Sequence, residues 1–263
     1  MERFLTNELS LAVDFRGEGP AVLFIHGFPL DRTLWRHQVA ELTGWCRIAP
    51  DLRGFGESDS PASGYSMAAY AEDLLSLLDV MGKQGAVLVG LSMGGYIAFE
   101  VLRRRPERVI GLVLMDTRAD PDTPEGTAAR DLMIATARER GAVPVAGAML
   151  PKLLGEDSLR ERPDVVAEVR RMMERTPVAG IVGALESMKA RPDSRPLLPT
   201  LGGMPVLAVV GEQDRIVSPS VMRTMADAIP GAEFEVVSGA GHVPPLERPG
   251  FVTDRIARFL SRV

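Results

Sequence analysis

A serine between two glycines is the first group in this chain that could carry out chemistry. Gly90-Leu91-Ser92-Met93-Gly94 follows the apolar run Ala86–Val89 and precedes a helical pattern over Tyr96–Leu102. A strand that turns directly into a helix presents the serine Oγ at a strained apex, where the glycines leave room that a Cβ would fill. The pattern therefore predicts a nucleophile at Ser92, with the N–H of Met93 at the helix N-terminus aimed at a developing oxyanion.

A nucleophilic serine needs a base that takes its proton, and the chain has three histidines. His37 lies within a predicted helix and suits a surface or packing role. His26 adjoins a glycine at the end of a strand, which favours a structural hydrogen bond in that turn. His242 lies in a glycine-flanked loop after the last predicted strand, so it can reach over the edge of the sheet. It is the candidate base.

The third group is a carboxylate that fixes the tautomer of the histidine and stabilises the imidazolium. Asp214 comes just after an all-apolar predicted strand and is the favoured candidate. Glu212 and Asp116 are rivals by position, since each also lies near the carboxyl end of a strand, and Asp116 is the stronger of the two. The favoured chain order is Ser92, Asp214, His242, with strands that deliver all three groups to one edge.

Apolar runs alternate with helical patterns along residues 1–116 and return after residue 200, which is typical of a parallel sheet. The segment between them contains prolines and helical stretches but no convincing strand. We therefore expect a core domain formed by residues 1–116 and 201–263, with residues 117–200 inserted as a helical lid. Strands are expected at residues 3–6, 9–15, 21–25, 47–50, 86–89, 109–115, 205–210 and 233–237, and helices near residues 34–40, 66–80, 96–102, 125–140, 142–150, 161–174, 177–190, 219–229 and 250–261.

Four motifs together resemble the α/β-hydrolase superfamily over essentially the whole chain. His26-Gly27-Phe28-Pro29 resembles its oxyanion loop, and Asp51–Ser58 resembles the loop after its fourth strand. Gly90–Gly95 resembles its nucleophile elbow, and Gly239–Pro249 resembles its histidine loop. Within the superfamily the chain is most similar to small carboxylesterases, enol-lactone hydrolases and the metal-free haloperoxidases (perhydrolases).

The resemblance implies an α/β fold, with a mostly parallel eight-stranded sheet flanked by helices. It further implies that the second strand is antiparallel, that a helical lid follows the sixth strand, and that the N–H groups of Phe28 and Met93 form an oxyanion hole. Haloalkane dehalogenases and epoxide hydrolases resemble this architecture but have an aspartate at the elbow, which forms an alkyl ester with the substrate. Ser92 instead suits attack on an acyl carbon, so those two reactions are not expected.

The expected activity is hydrolysis of carboxylic esters by a Ser-His-Asp triad through an acyl-enzyme intermediate. Hydrolysis of lactones, such as enol-lactones, and cofactor-free perhydrolysis at the same triad stay open as alternatives. So do carbon–carbon bond hydrolysis and a non-enzymatic ligand sensor. Apolar residues of the lid predict a pocket for small-to-medium apolar esters. The pocket candidates are Phe28, Trp35, Met149, Met172 and Met188.

Composition narrows the remaining classes of function. The net charge of −5 argues against a nucleic-acid partner, and no apolar run is long enough to predict a membrane span. The N-terminal residues lack a signal-peptide pattern, so we expect a cytoplasmic protein. With Cys46 as the only cysteine, no Cys-based metal site is expected, and no motif predicts a metal or an organic cofactor. The expected partner is a small-molecule ester or lactone, and the oligomeric state is left open.

Overall fold

Eight strands form one sheet in a computed structural model that describes residues 1–263. They are β1 (Glu2–Thr6), β2 (Leu9–Arg16), β3 (Ala21–Ile25), β4 (Cys46–Pro50), β5 (Ala86–Leu91), β6 (Val109–Met115), β7 (Val206–Gly211) and β8 (Glu233–Val237). Their order in the sheet is β1-β2-β4-β3-β5-β6-β7-β8. β2 is antiparallel to both neighbours, and the remaining pairs are parallel. The predicted mostly parallel sheet with an antiparallel second strand is confirmed.

The helices lie on the sheet and in one insertion. They are α1 (Arg36–Glu41), α2 (Met67–Val80), α3 (Met93–Arg104), α4 (Pro124–Arg140), α5 (Ala142–Leu153), α6 (Glu156–Glu161), α7 (Pro163–Glu174), α8 (Val178–Lys189), α9 (Pro219–Asp227), α10 (Pro244–Glu247) and α11 (Pro249–Leu260). α1 contacts α11, and α2 contacts α3. Because helices cover both faces of the sheet, the apolar strands β3, β5 and β7 are buried at every residue.

Helices α4 to α8 lie between β6 and β7 and form the helical insertion. α4 begins where the Thr123 hydroxyl accepts a hydrogen bond from the N–H of Gly126 (3.1 Å), with Pro124 at the first helical position. It ends at Gly141, whose φ of 78° favours glycine. The predicted insertion after the sixth strand is confirmed, whereas the short helices α6 and α10 were not predicted. No helix combines the length and the apolar character needed to cross a membrane.

Two helices of the insertion, α4 and α8, pack against each other and are joined by ion pairs. Asp122, just before α4, pairs with Arg130 on α4 and with Arg191 just after α8. Lys189 on α8 pairs with Asp131 on α4. We call these two helices and their ion pairs the α4–α8 pair.

The register of the sheet aligns the carboxyl ends of four neighbouring strands. Leu91 of β5 pairs with Met115 of β6, and Met115 pairs with Val209 of β7. Gly211, at the end of β7, pairs with Val237 of β8. Side chains that follow these strands therefore lie along one edge of the sheet, which we call the carboxyl edge.

Candidate active site

The turn between β5 and α3 holds Ser92 in a strained backbone conformation. Ser92 has φ of 54° and ψ of −112°, in a region that L-residues rarely adopt. A Cβ on Gly90 would lie 2.5 Å from the carbonyl oxygen of Gly94, and a Cβ on Gly94 would overlap the carbonyl of Ile25. Both glycines of the motif are therefore required by close backbone approach.

The backbone of Ser92 is fixed by hydrogen bonds to its neighbours. Its N–H donates to the carbonyl oxygen of Met115 (2.9 Å). Its own carbonyl accepts from the N–H of Gly95 (2.9 Å) and from the hydroxyl of Thr117 (2.8 Å). The residue is partly buried, and α3 begins directly after it at Met93.

The imidazole of His242 is bonded to the carboxylate of Asp214. Nδ1 of His242 lies 2.7 Å from Oδ2 of Asp214, and both side chains are at most 2% exposed. Oδ1 of Asp214 accepts hydrogen bonds from the N–H groups of Ile216 (2.7 Å) and Val217 (3.1 Å). Since Nδ1 is engaged by the carboxylate, Nε2 is the ring nitrogen that can accept a proton from a nucleophile.

The groups around Asp214 stabilise its negative charge. Burial raises the pKa of Asp214, but His242 and the N–H groups of Ile216 and Val217 outweigh burial and lower the pKa below its ordinary value. The carboxylate is therefore ionised at neutral pH and can hold the Nδ1–H tautomer of His242.

The rival carboxylates make other contacts. Glu212 accepts hydrogen bonds from the hydroxyl of Ser238 (2.8 Å) and the N–H of Gly239 (2.9 Å), so it supports the start of the histidine loop. Asp116 accepts a hydrogen bond on Oδ1 from the N–H of Gly211 (2.8 Å). Of the three candidate acids, Asp214 alone is hydrogen-bonded to His242.

The other histidines have structural contacts. Nε2 of His26 accepts from the N–H of Leu52 (3.0 Å), and its Nδ1 lies 3.0 Å from the carbonyl oxygen of Gly27. Burial lowers the pKa of His26, so its imidazole is neutral and ties two loops together. His37 lies on the partly exposed face of α1, 3.5 Å from Glu41. Neither histidine contacts Asp214.

The loop after β3 lies against the nucleophile turn. A Cβ on Gly27 would be 3.2 Å from the Cβ of Ser92, so Gly27 permits this close approach. The N–H of Phe28, the next residue, donates no hydrogen bond within the chain. An unpaired N–H beside the candidate nucleophile is available to a negatively charged oxygen.

Glu247 is a site residue that sequence reasoning missed. Its Oε1 accepts from the N–H groups of Gly241 (2.8 Å) and Val243 (3.3 Å), on both sides of His242. Its Oε2 accepts from the N–H of Gly155, in the insertion (2.8 Å). The sequence signal that could have found it is a single acidic residue inside an apolar, proline-rich segment. A carboxylate buried in such a segment needs hydrogen-bond donors, here backbone N–H groups.

The insertion also contacts the histidine loop through its backbone. The N–H of His242 donates to the carbonyl oxygen of Leu153 (2.8 Å). A Cβ on Gly241 would overlap the nitrogen of Gly155, so the two segments approach as closely as glycine allows. The position of His242 therefore depends on residues 153–155.

The predicted pocket residues occupy several environments. Phe28 is almost buried and meets Phe55 edge-on at 6.4 Å between ring centres. Trp35 is fully buried against the Phe24 ring, 5.2 Å away, which is a core contact. Sδ of Met188 accepts from Arg130 (3.4 Å), within the α4–α8 pair. Met149 and Met172 are buried in the insertion. A role of any of these side chains in substrate binding stays a prediction.

Three ionisable side chains of the carboxyl edge form the one cluster whose composition could hold a metal. Asp116, Asp214 and His242 each offer one oxygen or nitrogen atom, and these atoms all lie within 4.8 Å of one another. The hydrogen bond between Nδ1 of His242 and Oδ2 of Asp214 already engages two of these groups with each other. The contacts are those of a hydrogen-bonded acid–base pair with a second carboxyl group beside it.

Residues 20–249 match the family model for the alpha/beta hydrolase fold. The chain belongs to the α/β hydrolase fold family. The predicted superfamily is confirmed, and the match includes the nucleophile turn and the histidine of this α/β hydrolase.

Individual relatives of this α/β hydrolase include proteins of different activities. An esterase from Thermogutta terrifontis is 41% identical, with a TM-score of 0.95 over 99% of this chain and 98% of the esterase. An enol-lactonase from Burkholderia xenovorans is 28% identical, with a TM-score of 0.91 over 99% of this chain and all of the lactonase (100%). Epoxide hydrolase 1 from Siraitia grosvenorii is 43% identical over 123 residues, which is 45% of this chain and 39% of that protein. The predicted similarity to esterases and enol-lactonases is confirmed.

Proposed function

We propose that this α/β hydrolase is a serine hydrolase that cleaves carboxylic esters. The observation that carries the proposal is the 2.7 Å hydrogen bond between His242 and Asp214, on the same sheet edge as the strained Ser92. The 41% identity to an esterase over nearly the whole of both chains supports the same chemistry. No step of the proposed reaction requires a cofactor.

In the proposed reaction, Oγ of Ser92 attacks the ester carbonyl while Nε2 of His242 takes the hydroxyl proton. The carbonyl oxygen becomes an oxyanion that accepts hydrogen bonds from the N–H groups of Phe28 and Met93. Collapse of this intermediate breaks the bond to the alkoxide, which leaves with the proton from His242. Water then attacks the acyl-enzyme with His242 as base and releases the acid and free Ser92.

The surroundings of Asp214 and the backbone of Ser92 support these proposed roles. Asp214 keeps a negative charge beside Nδ1 and stabilises the imidazolium that forms on attack. The strained backbone at Ser92 is typical of a functional residue, since a structural turn gains nothing from this strain. Residues 117–200 are proposed to act as the lid that covers the bound acyl group.

Hydrolysis of lactones is a second candidate, because the enol-lactonase from Burkholderia xenovorans matches the whole chain. A lactone is an internal ester, so the same attack by Ser92 opens its ring. Opening of an epoxide is not proposed, although an epoxide hydrolase matches part of the chain. At the elbow, Ser92 offers a hydroxyl that suits attack on an acyl carbon. Epoxide hydrolases of similar architecture are instead expected to have an aspartate at this position.

Hydrolysis of p-nitrophenyl acetate, butyrate and octanoate, together with fluorophosphonate labelling, tests the proposal. Ser92→Ala should abolish both turnover and labelling while the circular dichroism spectrum is unchanged. Labelling at Ser92 without ester turnover would move the search to lactones, to hydrogen peroxide as acyl acceptor and to carbon–carbon bonds. If folded protein shows neither labelling nor turnover, the proposal is wrong and a ligand sensor is favoured.

A further inference from the structure

Asp116 is a fully buried carboxyl group that the proposed reaction does not use. It follows β6, which lies between the strand that carries Ser92 and the strand that precedes Asp214. Oδ1 of Asp116 accepts a hydrogen bond from the N–H of Gly211 (2.8 Å). Oδ2 is buried and has no hydrogen-bond partner when Asp116 and the neighbouring Asp214 are both ionised. A buried oxygen without a partner is costly, so its protonation state needs an explanation.

The backbone at Asp116 ties the other functional segments together. Asp116 has φ of 46°, a conformation that aspartate tolerates better than most residues. Its N–H donates to the carbonyl oxygen of Val209 (2.9 Å). The next residue, Thr117, donates its hydroxyl to the carbonyl oxygen of Ser92 (2.8 Å). The turn after β6 therefore contacts both the nucleophile turn and the segment that leads to the acid.

The charged groups around Asp116 are mostly negative. Asp214 and His242 lie within 4.8 Å, and the Glu247 carboxyl group adds a further negative charge. Burial, and next the charge of Asp214, raise the pKa of Asp116 well above its ordinary value. Two adjacent buried carboxyl groups cannot both be ionised without a cation between them, and Asp214 is the one stabilised by His242 and two N–H groups.

We propose that Asp116 is a positioning residue whose carboxyl group carries a proton at neutral pH and donates it as a hydrogen bond to the Asp214 carboxylate. This inference rests on the proposed function for its effect on catalysis. It gives the unpartnered Oδ2 a partner, while Oδ1 keeps the N–H of Gly211. The acid of the triad thus becomes a pair of carboxyl groups that share one negative charge.

The added hydrogen bond changes the strength of the base. A donor on Asp214 withdraws part of the negative charge that stabilises the imidazolium of His242. The Asp214 carboxylate therefore stabilises the imidazolium less than an isolated carboxylate would. The enzyme should remain active at lower pH than a variant that lacks the Asp116 donor.

Two substitutions at residue 116 test this effect on catalysis. Asp116→Asn keeps a carbonyl for Gly211 and an amide donor for Asp214, so kcat should stay within about threefold of wild type and the acidic limb of the pH–rate profile should not move. Asp116→Leu removes both contacts, so kcat should fall about 10- to 100-fold, because Asp214 and the backbone at Gly211 lose the hydrogen bonds that position them. Its acidic limb should move to higher pH, a change that a merely structural role would not cause.

An infrared difference spectrum between wild type and Asp116→Asn at about pH 8 tests the protonation state without any assay of turnover. Wild type should show the carbonyl stretch of a protonated carboxylic acid that the variant lacks. Carboxylate bands in its place, or an acidic limb that moves to lower pH in Asp116→Asn, would overturn the proposal. A loss of kcat in Asp116→Asn as large as that of Asp214→Asn would also overturn it, since Asp116 would then be the acid itself. A carboxylic acid band in a protein that hydrolyses no ester would reject the proposed function and leave this protonation state standing.

Discussion

The carboxyl edge of the sheet and the α4–α8 pair of the insertion are held together by different kinds of contact. At the edge, glycines bring backbone against backbone, as where Gly94 meets Ile25, and buried hydrogen bonds fix the functional side chains. In the α4–α8 pair, ion pairs of long side chains, such as Asp122 with Arg130, join two helices. Backbone contacts allow almost no adjustment, whereas long side chains can shift. The edge should therefore tolerate substitution far less than the α4–α8 pair does.

The largest expected effect is at the acid of the edge. Asp214→Asn replaces the charge that stabilises the imidazolium of His242 and can reverse its tautomer, so kcat should fall up to about 10⁴-fold. The matched control is Glu212→Gln, two residues away, which should stay within about threefold of wild type because glutamine keeps an acceptor oxygen for Ser238 and Gly239. Initial rates with p-nitrophenyl butyrate measure both. Equal losses in the two variants would show that the assignment of the acid is wrong.

A pair of glycine substitutions compares the carboxyl edge with α5, a helix of the insertion that packs against α4. Gly94→Ala places a Cβ into the carbonyl of Ile25, between buried backbone segments, and should lower the free energy of unfolding by at least about 3 kcal/mol. Gly147→Ala in α5 of the insertion meets no atom within 4 Å and should raise it by about 0.5–1 kcal/mol. Urea unfolding followed by circular dichroism measures both values. A mild effect of Gly94→Ala would contradict the claim that the edge cannot adjust.

The smallest expected effect lies in the α4–α8 pair and depends on pH. Burial raises the pKa of Asp122, but Arg130 and Arg191 outweigh it and lower the pKa below its ordinary value of 3.8. The ionised form therefore stabilises the folded state above that value, and this stability is lost as the pH falls through the lowered pKa. Asp122→Asn should lower the free energy of unfolding by about 1–2 kcal/mol at neutral pH.

The pH dependence of that difference is the measurement that checks it. Urea midpoints of wild type and Asp122→Asn should differ by a constant amount between about pH 7 and pH 5, and the difference should shrink below about pH 4. Asp131→Asn is the matched control, since Asp131 is half exposed and pairs with Lys189. A difference that stays constant down to about pH 3 would show that Asp122 does not act through its charge.

The sequence was sufficient to predict the central parallel strands, because β3, β5 and β7 are apolar runs. The eight-stranded sheet with an antiparallel second strand was predicted from the resemblance to the superfamily. The sequence also placed Ser92, Asp214 and His242 after strands that end at one edge. It favoured Asp214 and kept Asp116 as the substitute, since the two residues follow neighbouring strands and only the folded chain brings one of them to Nδ1 of His242. Trp35 was predicted as a pocket residue, and the structure shows it in a core contact with Phe24; an aromatic residue near a site and one in the core have the same local pattern.

The contact between residues 153–155 and the histidine loop limits how this family member could be redesigned. Leu153 supplies the carbonyl that holds the backbone of His242, and Gly155 supplies an N–H to Glu247. A variant engineered with a foreign insertion would lose these contacts unless the graft kept residues 153–155. The proposed base, His242, would then be misplaced even though its own side chain had not changed. Residues 153–155 therefore act as part of the core domain. When the insertion is exchanged to change substrate preference, these three residues should be kept.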